Sequence, residues 1–411
     1  SVYVAIMPIS VEVALLSGKR AHVKVELHDT LNILRHQARL RLGAGGRLVS
    51  ASGATLTGSR TVAEAGLQDG SVVTLCVQST SVAASERAFA ASLSGGAVVA
   101  WGDPAWGGDS RAVQQQLKNV KHIQAAGCAF AAILDDGSVV TWGNPQRGGD
   151  SSAVQKQLRR VQCIYGTGGA FAAIVDGGFV VTWGHREYGG NSSAIQEQLR
   201  NVQQIQATQH AFAAVLDDGS VVTWGDGDWG GNSITVQNQL RNVQHVRATQ
   251  RAFAAILDSG SVVTWGCRYF GGDSSAAQER LVDVQQIKGA SSAFAAILEG
   301  GSVVTWGIPE HGGDSSAVRE QLRNVRRLQA AHSAFAAILE DGSVVTWGDP
   351  QRGGDSSAVQ KQLRRVQCIY GTGGAFAAIV DGGFVVTWGH REYGGNSSAI
   401  QEQLRNVQQI Q

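Results

Sequence analysis

The stretch Ala129-Phe-Ala-Ala-Ile-Leu-Asp-Asp-Gly-Ser-Val-Val-Thr-Trp-Gly143 recurs along the chain with little change. The Trp-Gly pair that closes it stands at Trp101, Trp142, Trp183, Trp224, Trp265, Trp306, Trp347 and Trp388, always 41 residues apart. A fixed period of this length marks a repeat architecture, in which each unit buries its faces only against its neighbours. Within a unit, an apolar run, an Asp136-Gly137 turn and a β-branched run read as a β-hairpin. A Gly148-Gly149 turn and the polar stretch Asp150–Leu158 follow; its Asp and Ser start predicts at most a short helical turn. Val161–Tyr165 then supplies a third strand. Eight such units fill residues 84–411 without remainder.

These units resemble the repeats of the regulator-of-chromosome-condensation family of β-propellers. The residues that carry the likeness are Ala-Phe-Ala-Ala-Ile-Leu-x-x-Gly-Ser-Val-Val-Thr-Trp-Gly, then Gly-Gly-Asp/Asn-Ser-Ser and Val-x-x-Ile. Family members usually have four-stranded blades and close with seven. The short unit here is closer to the three-stranded propeller type found in a β-lactamase inhibitor protein. The resemblance implies a mainly β fold and a closed propeller, and the unit count makes it one of eight 41-residue, three-stranded blades; seven blades with a spare unit, or a fragment of a longer array, is the alternative. The last unit ends on Val407-Gln-Gln-Ile-Gln411, which in every other unit leads into Ala-Phe-Ala, so the terminal strand is expected to complete the first blade beside Ala88–Leu93. Residues 145–206 and 350–411 are identical, the trace of a recent duplication or an assembly artefact.

Upstream, Ile9, Val11, Val13 and Leu15 alternate with Ser10, Glu12 and Ala14, and Val23, Val25 and Leu27 resume the alternation after a Ser17-Gly18 turn. This is a hairpin with one buried face. Asp29-Thr30 offers an N-cap for a helix with Leu31, Leu34, Ala38 and Leu42 on one side, ended by Gly43. Arg47-Leu-Val, a turn at Thr61–Gly66 and the strand Ser71–Val77 complete a small α+β domain over residues 9–78. Residues 1–8 read as a disordered segment or an extension, of which the first six, before Met7, are expected to be upstream sequence or a gene-model extension. Residues 79–83 read as a polar linker.

That order resembles the β-grasp fold of ubiquitin-like domains, on Leu16-Ser-Gly18-Lys19, Val25-Glu-Leu-His-Asp-Thr30, Arg47-Leu-Val-Ser-Ala-Ser-Gly53 and Thr61-Val-Ala-Glu-Ala-Gly-Leu67 through Leu75. The resemblance places a partner-binding apolar patch at Leu16, Val49 and Cys76, with Cys76 in place of a larger aliphatic residue. Val77-Gln-Ser-Thr-Ser carries no terminal Gly-Gly, so conjugation through that end is not expected.

Composition narrows the function. Net charge is +1, charged residues are 16%, and no basic tract offers counterion release on nucleic acid. No apolar run reaches the roughly 20 residues a membrane helix requires. Five cysteines without a Cys-x-x-Cys suggest a reducing cytoplasm or nucleus rather than a disulfide framework. No Gly-x-Ser-x-Gly or His-Glu-x-x-His occurs, and Gly18-Lys19 lacks the rest of a phosphate loop. No catalytic residue, metal site or cofactor is expected, and the chain is expected to be a monomer.

Comparing the units with one another locates the candidate site. The scaffold barely varies, whereas the four residues between Trp-Gly and Gly-Gly change freely. The last of the four is Trp106, Arg147, Tyr188, Trp229, Phe270, His311, Arg352 and Tyr393. Trp, Tyr and Arg are the types enriched at binding hot spots, and equivalent loops would set them on one rim. A bulky flat side chain here could instead cover the Gly-Gly turn. The residues before Ala-Phe-Ala (Gly127-Cys128, Gln209-His210, Gln250-Arg251, His332-Ser333) vary too and form a second candidate rim. The acidic residues before the hairpin glycine (Asp136, Asp218, Asp341) read as turn residues and the repeated Trp as packing. The expected function is a non-enzymatic adaptor: the rim binds a protein partner and the ubiquitin-like domain engages ubiquitin-binding machinery. One alternative is the substrate-recognition part of a larger ubiquitin ligase of the kind in which such propellers precede a HECT domain; a weaker one is exchange activity on a small GTPase.

Overall fold

The computed structural model describes residues 8–15, 18–43, 46–56, 60–77, 81–93, 96–407 and 410. Two compact units emerge: Ser1–Gln124 with Phe130–Gly143, and Ala125–Ala129 with Asn144–Gln411.

The first unit begins with β1 (Ile9–Leu15), β2 (Arg20–Val25), α1 (Leu31–Leu42), β3 (Gly46–Ser50), β4 (Thr55–Leu56) and β5 (Val72–Val77). They form one five-stranded sheet in the order β2-β1-β5-β3-β4. β1 pairs antiparallel with β2 and parallel with β5, and β3 runs antiparallel to β5. The alternation predicted for β1 holds: Val11 and Val13 are fully buried, packing with Leu34, Ala38, Leu48 and Leu75 under the helix. Gly43 ends α1 in the left-handed region (φ 71°). Thr30 is the N-cap but makes no side-chain capping bond; Asp29 instead accepts from the Glu26 N–H at 2.8 Å. β4 was not apparent in the sequence.

Next in the same unit come β6 (Ser81–Ala84), β7 (Ala88–Ser92) and β8 (Val98–Gly102), an antiparallel sheet, followed by β9 (Val120–Ala125), β10 (Ala129–Leu134) and β11 (Val139–Gly143). β6 corrects two expectations. Residues 81–83 are not a linker but an edge strand, with Ser81 opposite Ser92 and Ala84 opposite Phe89. That strand occupies the place beside Ala88–Ser92 assigned to the chain's last strand; of Val407–Gln411, residues 408, 409 and 411 lie outside the described residues.

In the second unit six further three-stranded antiparallel sheets follow, from Cys163–Gly184 to Val366–Gly389, so that the described residues hold eight sheets of the propeller-blade type. The sequence dictates how they stack. In Ala211-Phe-Ala-Ala-Val-Leu216, side chains alternate, so Phe212 faces one way and Ala211, Ala213 and Val215 the other. Phe212 lies opposite Trp224 on the next strand, with ring centroids 5.1 Å apart. The pair packs against Ala170, Ala172 and Ile174 of the preceding sheet. The small face, Ala211, Ala213 and Val215, receives Phe253 and Trp265 from the following one. Large side chains thus fill the space left by small ones, sheet after sheet. The hairpin aspartates serve their turns: Asp218 accepts from the Ser220 N–H at 2.8 Å. Where the polar stretches are helical they are 3-10, from three residues at Ser193–Ile195 to six at Ser275–Arg280.

Candidate protein-binding row

Each candidate rim residue closes a three-residue 3-10 turn, as in Gly227–Trp229 and Arg268–Phe270. The following glycine adopts positive φ (91° at Gly230), turning the chain back toward the scaffold. At Asp226 the carboxylate accepts from the Asp228 N–H (2.9 Å), which fixes the start of the turn. The side chains at these positions are half-buried, apart from Tyr393, which is 43% exposed.

What covers the Gly-Gly turn is not the rim side chain. A Cβ at Gly189 would lie 2.7 Å from Cδ2 of Phe212, and Trp224 donates its indole N–H to the Gly189 carbonyl at 3.0 Å. The scaffold Phe and Trp of the next repeat do the covering, in every repeat from Gly148 to Gly353 of this unit. The rim side chains lean elsewhere.

They lean on one another, through the residues of the second candidate rim. Arg147 donates to the Tyr188 hydroxyl at 3.0 Å, with its guanidinium 4.9 Å from the ring centroid. Tyr188 lies 4.0 Å from the His210 ring, and His210 stacks on Trp229 at 3.9 Å, within 4° of parallel. The Arg251 guanidinium sits 3.8 Å above Trp229 and 4.9 Å from Phe270. The two candidate rims therefore form one interleaved row, Arg147–Tyr188–His210–Trp229–Arg251–Phe270, running across four repeats. Cation–π and offset-stacked contacts of this kind each contribute about 0.5–1.5 kcal/mol beyond area burial and hold the rings in place. Tyr188 also roofs Gly168 and Gly169, where a Cβ would come within 2.9 and 3.2 Å of its ring.

The row is not continued through all eight positions. His311 pairs instead with the Ser292 hydroxyl, and Arg352 reaches toward Tyr393 at 5.6 Å. In the first unit Trp106 stacks with the Arg87 guanidinium at 4.9 Å. A second division cuts across this one and follows residue type. Thr167, Thr208, Thr249 and Thr372 each donate a hydroxyl to the carbonyl of Tyr188, Trp229, Phe270 and Tyr393, all at 2.9 Å, and Ser85 does so for Trp106. The repeats with Arg147, His311 and Arg352 carry alanine there: Ala126, Ala290 and Ala331. Aromatic rim residues are thus tied down from below and the others are not. That covariation is legible in the sequence once the repeats are set side by side.

Burial lowers the pKa of His210, with Arg251 and Arg147 adding to the effect and Asp226 and Glu187 opposing it. At neutral pH the ring is uncharged, which suits its place between two aromatic faces and near two guanidiniums. Among the described residues no cluster of His, Cys, Asp or Glu could hold a metal ion.

Of the patch assigned to the N-terminal domain, Val49 on β3 and Cys76 on β5 lie on the same, outer face of the sheet. Val49 stands opposite Thr74 and Cys76 opposite Arg47, while Leu48 and Leu75 point inward. Leu16 lies outside the described residues.

No protein-family model matches the chain, and no curated protein matches it. Among solved structures it is similar to Prp20p from Saccharomyces cerevisiae, at 15% identity and a TM-score of 0.40, over 64% of this chain and 82% of that one. The ectodomain of the receptor kinase CR4 from Physcomitrella patens gives 13% identity and 0.39, over 65% and 72%. The computationally designed protein Ika8 gives 12% and 0.36, over 75% and 94%. All three are distant in sequence.

Proposed function

We propose that the chain is a non-enzymatic protein-binding adaptor whose partner docks on the interleaved row from Arg147 to Phe270. The observation that carries this reading is the stack itself. Six residues of hot-spot chemistry from four repeats hold one another in fixed orientation, with half-buried bodies and accessible edges. Preorganised aromatic and arginine side chains lose little entropy on binding, which is where affinity comes from at a protein interface.

The reading extends to the N-terminal domain, which we take to be ubiquitin-like and to engage ubiquitin-binding machinery. It is supported by the mixed sheet with a parallel β1–β5 pair, one helix between β2 and β3, and Val49 beside Cys76 on the outer face.

Two measurements test it. Full-length chain with Tyr188→Ala, Trp229→Ala and Phe270→Ala should lose a partner that the wild-type chain captures from cell extract, while partners captured through the N-terminal domain remain. Retention of every partner would overturn the rim assignment. Titration with a helical ubiquitin-binding domain should perturb amide resonances at Val49 and Cys76; no perturbation there would remove the ubiquitin-pathway part alone.

A further inference from the structure

The repeats differ from one another most informatively at a place the row does not use. A groove of about 520 Å³ lies between the fifth and sixth repeats, in the second unit. Four of its lining residues, Tyr269, Ala277, Arg280 and Arg319, each break the repeat pattern. Where Arg280 stands, the other seven repeats have glutamine, from Gln116 to Gln403. Arg319 likewise replaces a glutamine found in all seven others. Ala277 replaces a valine or isoleucine, and Tyr269 is the sole aromatic residue at its position.

Arg319 is the most telling exchange, because the glutamine it replaces is structural. In the sister repeats that side chain bonds twice. Gln278, for example, accepts from the Ser274 hydroxyl at 2.9 Å and donates to the Val262 carbonyl at 3.0 Å. Gln237 and Gln360 do the same. Among the described residues the Arg319 side chain makes neither bond and no ion pair, and it is exposed. The sixth repeat has given up two scaffold hydrogen bonds and gained an uncommitted guanidinium. Local rules broken without a scaffold benefit mark functional places.

The other exchanges complete the same groove. Ala277 removes the branched side chain that would fill its floor, leaving the space against Trp306. Tyr269, 67% exposed, stands at its mouth, with the Arg268 guanidinium 5.5 Å from its ring. Two carboxylates also line it, Asp273 and Asp314. Each accepts from a backbone N–H two residues on, Ser275 at 3.0 Å and Ser316 at 2.8 Å, as the Asp or Asn at this position does in other repeats. They are scaffold turn residues. The lining therefore carries three guanidiniums against two carboxylates: Arg268 acts on Asp273 and Arg280 on Asp314, which leaves Arg319 as the excess positive charge.

We propose that this groove binds an acidic peptide segment of a partner protein, with side-chain carboxylates on Arg280 and Arg319 and an apolar residue seated over Ala277 and Trp306 beside Tyr269. Arginine's planar fork matches a carboxylate, and the volume falls in the range of pockets that take a few side chains. A polyphosphate backbone, which carries charge at every residue, fits less well, because the chain has no basic tract to extend the contact beyond the groove. The site stands independently of the aromatic row.

The test uses the full chain and a fluorescein-labelled peptide, Asp-Glu-Glu-Phe-Glu-Asp, read by fluorescence anisotropy at moderate salt. Wild-type protein should bind saturably. Arg280→Gln with Arg319→Gln, which restores what the sister repeats carry and so leaves the fold intact, should weaken binding by at least about tenfold. Ala277→Val, again the sister residue, should weaken it by about fivefold by refilling the floor. Arg200→Gln, an exposed arginine outside the groove and the row, should leave it unchanged. The proposal fails if the double arginine variant binds as tightly as wild type, or if wild type shows no saturable binding. It fails equally if Lys-Arg-Lys-Phe-Lys-Arg binds as well, or if millimolar inorganic phosphate displaces the peptide completely, which would mark a plain anion site.

Discussion

The indole N–H of Trp224 donates to the carbonyl of Gly189, in the preceding repeat, at 3.0 Å. The bond links two consecutive sheets at the point where Phe212 presses on the same glycine. Gly189 has φ of 85°, and any side chain there meets the Phe212 ring. Gly189→Ala combines a left-handed backbone penalty with a clash against a fully buried ring. It should cost about 3 kcal/mol. Trp224→Phe, which keeps most of the stacked area but leaves the Gly189 carbonyl unpaired, should cost about 1–2 kcal/mol. Hydrogen exchange across residues 163–225 reads both, since each should open the junction between these two sheets before the rest.

Contrast with the row separates scaffold from proposed binding surface. Trp224 is almost fully buried, whereas Trp229, five residues on, is half-buried and supported by His210 and Arg251. Trp224→Ala should cost about 3–5 kcal/mol, and Trp229→Ala about 1 kcal/mol. Chemical denaturation of the two variants, side by side with partner capture, should give opposite rankings: the first loses stability, the second loses binding. Equal stability losses would mean that the row is structural.

Much of this was legible in the chain. The period, the hairpin and the packing role of the tryptophan follow from Ala-Phe-Ala…Trp-Gly, because alternation alone sends Phe212 to one face and Ala211 and Ala213 to the other. The edge strand Ser81–Ala84 was missed because it lacks the Val-x-x-Ile of the other edge strands. Its pairing relies on the backbone and on a Ser81–Ser92 hydroxyl contact at 2.8 Å, which leave no apolar signature. The rim residue types were visible, but not their interleaving. His210 precedes Trp229 by 19 residues and follows Tyr188 by 22, and only the stacking of successive repeats makes it a neighbour of both. Arg280 and Arg319 went unremarked because each looks like an ordinary surface charge until set against seven glutamines.

The row should respond to acid. Burial holds the pKa of His210 below its ordinary value near 6.5, and His332 is lowered too, by burial and then by Arg352 and His311. A histidine with a lowered folded-state pKa binds its proton more readily in the unfolded chain. Its neutral form therefore supports the fold fully above about pH 6.5, and the support is lost as the pH falls below that value. The thermal midpoint should drop between pH 7.5 and 5.5. His210→Phe keeps a flat ring between Tyr188 and Trp229 and should reduce that drop. An unchanged pH dependence would show that His210 titrates freely in the folded protein.

At one position in every repeat the chain enters the left-handed region without glycine: Asn119, Arg160, Asn201, Asn242, Asp283, Asn324, Arg365 and Asn406 all have φ between 52° and 58°. Asparagine and aspartate tolerate this conformation, because their short polar side chains bond locally; arginine has no such compensation. The two arginines stand at the same site of the duplicated segments, where each side chain reaches an exposed aspartate, Asp176 at 3.2 Å and Asp381 at 3.5 Å. Both members of each pair are largely exposed, so these contacts return little. The backbone cost outweighs them. Arg160→Asn and Arg365→Asn should each stabilise the protein by about 0.5–1 kcal/mol, and Asn242→Val should destabilise it by about 1–2 kcal/mol. Denaturation midpoints of the three variants decide the matter: a loss of stability on Arg160→Asn would mean that the Asp176 pair contributes more than the strain removed.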